Sequence, residues 1–176
     1  MITTSVFAFD PGEKLIWGEV GFDSYKADKD DDNSTTTLNL DAMVSYFLMK
    51  DISLDVGLFW QSQKSPVIYY KGETSTVSDL LLGVGGSFFI NHFYLNAAFL
   101  YELYSSKYES KSDDTYNRNA TYLLFGGGYL FPLVENVFID VGASYMMGLG
   151  KFSGDYEGDN TQSDFGVGAG LVVHLP

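Results

Sequence analysis

A carboxylate or amide recurs in the middle of segments that are otherwise apolar at every second position. In ISLDVGLFW (52–60), Ile52, Leu54, Val56, Leu58 and Trp60 share one parity, while Ser53, Asp55, Gly57 and Phe59 share the other. Alternation over this length is the period of a β-strand, whose successive side chains leave opposite faces. The same frame returns in FYLNAAFLY (93–101) and VFIDVGASY (137–145), with Asn96 and Asp140 in the polar slot, and in IWGEVGFDSY (16–25), with Glu19 there. A second type of segment, small residues running into a bulky close, appears in DAMVSYF (41–47), GVGGSFF (83–89) and FGGGYLF (125–131). It reappears as the opening of GVGAGLV (166–172). Four segments of each type predict eight strands.

The connections fall into two classes. Short ones lie near 48–51, 90–92 and 132–136; long polar ones lie near 24–34, 62–76, 105–118 and 152–163. No window of 18 apolar residues exists, so the chain has no candidate transmembrane helix, and a closed barrel is the remaining way to span a bilayer. Aromatic residues make up 16% and charged residues only 19% of the chain, a mix that suits membrane strands better than a soluble helical domain. A soluble lipocalin-like barrel would turn the greasy parity inward. Against it, that parity ends in Trp60, Tyr101 and Tyr145 on the long-connection side, as an interfacial aromatic girdle does. The expectation is an all-β, eight-stranded antiparallel up-and-down transmembrane β-barrel, with short periplasmic turns and long extracellular loops. Residues 1–13 form a short N-terminal periplasmic segment and residues 14–176 the barrel. The opening MITTSVFAFD is too short for a complete signal peptide, although Val6 and Ala8 suit the small-residue end of one.

The units SYFLMKDISLDVGL, SFFINHFYLNAAF and GYLFPLVENVFIDVGASY resemble the strand–turn–strand units of the small eight-stranded outer-membrane β-barrel family around OmpA, OmpX and OmpW, over about Lys14 to Leu175. Gly170, Val173 and Leu175 resemble that family's assembly signal, although the chain ends in Leu175 and Pro176 where the family ends in an aromatic. The resemblance implies the Gram-negative outer membrane, export through the periplasm, contact with the barrel-assembly machinery, and lipid and lipopolysaccharide as neighbours. An envelope protein partner is compatible with it. For function it implies a structural or surface-interaction role first and a narrow, OmpW-like channel for small or apolar solutes second. A lipid-modifying enzyme comes last.

Parity directs Glu19, Asp41, Asp55, Asn96, Glu102 and Asp140 into the lumen. Phe59, Phe89, Leu100 and Tyr104 share that space, with Gly57, Gly83, Gly85 and Gly142 making room for them. A lumen of eight strands is largely filled by its own side chains. Arg118, the single arginine, is assigned to a long connection, so no arginine is expected in any strand. The lumen carboxylates are expected to rely on Ser, Tyr, Asn or trapped water. The chain has no cysteine, and its two histidines, His92 and His174, fall at the short-turn rim without a Ser and carboxylate placed for a triad. No enzyme activity and no cofactor are expected. A net charge of −13 excludes nucleic acid, whose phosphates demand clustered Lys and Arg. DKDDDN (28–33) lacks the glycine and glutamate of a calcium loop. Barrel closure nevertheless sets Asp28, Asp30 and Asp32 beside Asp155, Glu157 and Asp159, a weak loop patch for Ca²⁺ or Mg²⁺.

Overall fold

The structure, a computed structural model, describes residues 8–25, 34–66, 74–109, 115–155 and 158–176. It contains the strands β1 (Lys14–Tyr25), β2 (Thr35–Met49), β3 (Ile52–Pro66), β4 (Thr74–Ile90), β5 (Phe93–Glu109), β6 (Thr115–Val134), β7 (Val137–Gly154), β8 (Gly158–Asp159) and β9 (Ser163–Leu175). Strands β1 to β7 and β9 form one antiparallel ring of eight, closed by β1 against β9 and by β9 against β7. The two-residue β8 pairs only with the loop end of β7.

The faces follow the parity of the sequence. Ile52, Leu54, Val56 and Leu58 are exposed while Ser53 and Asp55 are buried, and in β2 Leu38, Leu40, Val44 and Tyr46 point out while Asn39, Asp41 and Ser45 point in. In water an exterior of this composition would be costly, at roughly 25 cal/mol per Å² of exposed apolar surface. In hydrocarbon the cost vanishes, and the ring leaves its polar groups to the lumen. Tyr101 and Tyr145 stand on the outer face near the long-loop side, and Trp60 donates its indole N–H to Ser78 Oγ at 3.2 Å.

The three short connections are two-residue turns. Asp51, Asn91 and Asn136 occupy the left-handed region there, at φ 59°, 56° and 63°, and Asp and Asn tolerate that conformation because their short polar side chains bond locally. The long connections are shorter than expected. Strand pairing runs out to Pro66↔Thr74 and Lys107↔Thr115, because Ser, Thr and Tyr keep the hairpins paired beyond the hydrocarbon. One consequence is a correction: Arg118 lies inside β6, opposite Tyr104, so an arginine does stand in a strand.

Inside, side chains pack in two clusters. The lower one joins Leu15, Trp17, Phe47, Phe89, Leu130 and Phe138 around Phe9, which is fully buried. Phe9 reaches there because residues 8–13 fold across the mouth of the barrel on the short-turn side. Its N–H donates to Asp51 Oδ1 at 3.0 Å, its carbonyl accepts from Asp51 N–H at 3.1 Å, and Gly12 N–H donates to the Phe47 carbonyl at 2.9 Å. The Phe9 ring stacks on Phe47 with centroids 4.4 Å apart. The upper cluster joins Leu100, Ala120, Tyr122 and Phe152, with Phe59 and Leu81 packed against it.

Closure is uneven around the ring. Strands β2 to β7 are paired over most of their length, but β1 and β9 pair only over Lys14–Gly18 with Leu171–Leu175, at the periplasmic end.

Candidate functional site

Between the two clusters the lumen is not filled. A cavity of about 240 Å³ remains, and Glu19, Asp41, Asn96 and Asp140 line it together with Trp17 and a wall of glycines. The lumen is otherwise largely filled, as expected, and the space that remains is lined by Gly126, Gly127, Gly142, Gly166, Gly168 and Gly170, which have no side chain to occupy it. Glu19 and Asp41 are direct cross-strand partners. Like charges in that position repel, and among the described residues no Lys, Arg or His side chain lines the cavity.

The other predicted lumen residues are held in two separate networks. Asp55 is buried and accepts from Ser53 Oγ at 2.7 Å and Ser87 Oγ at 2.5 Å, one hydroxyl from β3 and one from β4. The expectation of hydroxyl partners describes it well. Glu102 has a basic partner instead. Arg118 Nη2 lies 3.2 Å from Glu102 Oε2, and the Tyr122 hydroxyl, with a single proton to donate, lies 3.1 Å from the same oxygen and 2.8 Å from Gln162 Oε1. The guanidinium is sandwiched between the rings of Tyr104 and Phe152, 4.6 Å from each centroid, where cation–π attraction adds to the ion pair.

At the cavity floor Tyr94 donates to Asp140, 3.0 Å from Oδ1. Glycine is required here. A Cβ on Gly128 would stand 2.7 Å from the Tyr94 hydroxyl, and one on Gly142 would stand 2.9 Å from it. Trp17 donates its indole N–H to Ser45 Oγ at 2.9 Å. Asn96 Oδ1 is buried without a hydrogen-bond partner.

Sequence reasoning missed Phe9, whose burial depends on a segment placed outside the barrel, and Arg118, whose strand begins earlier than the alternation does. Tyr94 and Tyr122 lie on the inward parity and were legible in principle. Of the proposed cation patch, Asp28, Asp30, Asp32 and Glu157 lie outside the described residues. Asp155 Oδ2 accepts from Asn117 N–H at 2.7 Å, and Asp159 sits in β8 opposite Lys151. Among the described residues, no three His, Asp or Glu side chains stand close enough to hold a metal ion.

No family model and no curated protein sequence matches this chain. Its fold does match solved structures. Ail, the attachment invasion locus protein of Yersinia pestis, solved in complex with the heparin analogue sucrose octasulfate, aligns with a TM-score of 0.57 at 17% identity over 94% of this chain and 99% of Ail. A second structure of Ail gives 0.55 with the same coverage. Neisserial surface protein A aligns at 15% identity over 96% of this chain and 97% of its own, with a TM-score of 0.48. With its apolar face outward, its polar residues in the lumen and this topology, the chain has the fold of the small eight-stranded outer-membrane β-barrels.

Proposed function

We propose that this barrel is a non-enzymatic outer-membrane protein with a structural or surface-interaction role, carried by its exterior and its extracellular hairpins. The observation that carries this reading is the obstruction of the barrel axis. Phe9 fills the mouth on the short-turn side, and the Arg118–Glu102–Tyr122 network projects from β5 and β6 into the lumen beside the upper cluster. An eight-stranded barrel has little room to begin with, and these two layers narrow the axis among the described residues further. This favours the structural reading over a solute channel.

Catalysis finds no support at the histidines. His174 Nε2 contacts Glu13 Oε2 at 3.0 Å, and His92 stands among the rings of Tyr129 and Phe138, both at the periplasmic rim. The outer partners are lipid and lipopolysaccharide. Ail was solved with a sulfated heparin analogue; a chain with a net charge of −13 and its one arginine engaged with Glu102 is poorly suited to a sulfated polyanion. Planar-bilayer recording with the refolded chain tests the reading. The expected result is a silent bilayer, and steady stepwise conductance would favour the channel.

A further inference from the structure

The seam between β1 and β9 departs from the rest of the ring. Its rungs stop at Gly18↔Leu171. Above that point Glu19–Tyr25 pair only with β2, and Ser163–Gly170 pair only with β7. Were the register continued, Val20 would meet Ala169 and Phe22 would meet Val167. Instead Val20, Phe22 and Val167 are each more than 70% exposed, well beyond the 43% of Val44 or Leu54 on closed parts of the wall. Unpaired strand edges are costly in hydrocarbon unless they line a space that holds water or another partner.

The opening leads inward to the cavity. On the β9 side its inner wall is glycine, and a Cβ built on Gly168 would meet nothing within 4 Å. The cavity beyond carries three carboxylates, Glu19, Asp41 and Asp140, and no basic side chain. Independently of those charges, Asn96 presents a buried oxygen with no donor. An apolar solute would leave Glu19, Asp41 and the Asn96 oxygen without partners, Asp140 keeping only its bond from Tyr94, and an anion would be repelled. At about 240 Å³ the space holds a head group and its first methylenes, and is too small for a whole lipid.

We propose that the upper seam is a lateral portal through which the cavity takes the head group of a cationic single-chain amphiphile, an alkylammonium. The ammonium lies against Asp41 and Asp140, with N–H donors for Asn96 and the face of Trp17 beside it. The chain runs out between Val20 and Val167 into the outer leaflet. This site goes beyond the structural role and is independent of conductance along the axis, so a channel recorded in a bilayer would overturn that role and leave this proposal standing.

The test uses the full chain in nanodiscs of phosphatidylcholine, carrying Trp60→Phe so that Trp17 is the sole tryptophan. The probe is a dodecylammonium brominated near its head group, with the brominated dodecanol and dodecyl sulfate of the same chain as controls. Saturable quenching of Trp17 by the ammonium, against weak unsaturable quenching by the controls, is expected. Asp41→Asn combined with Asp140→Asn should weaken it about tenfold or more. Gly168→Leu, which projects into open space, should weaken it comparably while the heat-modifiable gel mobility of the folded barrel stays unchanged. Equal quenching by all three probes, or undiminished saturable quenching in either variant, would overturn the proposal.

Discussion

Arg118 and Glu102 form an ion pair at 3.2 Å across adjacent strands, with the guanidinium held between two aromatic rings. The pair is largely withdrawn from water, and the Tyr122 hydroxyl lies against the same carboxylate oxygen that the guanidinium approaches. Removing one partner of such a pair leaves the other charge buried and uncompensated, which costs roughly 3–5 kcal/mol. Arg118→Met should therefore destabilise the barrel by about that amount in urea unfolding from lipid vesicles. Adding Glu102→Gln to it should restore a substantial part. Two single substitutions whose costs simply add would show that the residues act separately.

Parity predicts which substitutions the membrane rejects. Val56 faces lipid and is 57% exposed, so Val56→Arg should cost about 2–4 kcal/mol near the midplane. Asp55→Asn keeps the size of the side chain and at least one acceptor for Ser53 and Ser87, and should cost roughly 1–2 kcal/mol. Folding yield into bilayers should rank wild type above Asp55→Asn and Asp55→Asn above Val56→Arg. The reverse order would place the apolar face inside.

The phenyl ring of Phe9 closes the periplasmic mouth. Phe9→Ala should destabilise the barrel by roughly 3–5 kcal/mol, since the Phe47 and Phe89 rings cannot collapse fully into the space left. It should also release the segment before β1 to limited proteolysis. Cleavage as slow as in the wild type would mean that the backbone bonds to Asp51 and Phe47 hold the segment unaided.

Glycines along one lumen differ in what an added methyl would meet. Gly128→Ala would press on the Tyr94 hydroxyl and on the Val141 carbonyl, both 2.7 Å from the new Cβ, and should cost about 1–3 kcal/mol. Gly168→Ala meets nothing and should be near neutral. Unfolding midpoints of the two variants, measured side by side, check the contrast. Equal effects would contradict the packing of Tyr94 against Gly128 and Gly142.

Alternation is a local property, and it was enough to orient the barrel. The period of two in 52–60 assigns Asp55 to the lumen and Val56 to lipid without knowledge of any neighbour, because a pleated strand sends successive side chains to opposite faces. The three short connections were legible in place, near 48–51, 90–92 and 132–136, but their tightening to two-residue turns with Asp51, Asn91 and Asn136 at positive φ came from the structure. Tertiary structure decided what depends on residues far apart in the chain. Arg118 belongs to a strand because Tyr104 and Gly154 stand beside it, although its own surroundings read as a polar loop. Phe9 becomes core only because Asp51, 42 residues away, binds its backbone. The cavity and the short seam have no local signature at all. Each glycine on β9 reads as an ordinary strand position, and only the ring shows that they line one unfilled space beside a ladder ending at Gly18, because pairing between the first and last strands is the contact with the greatest sequence separation in the fold.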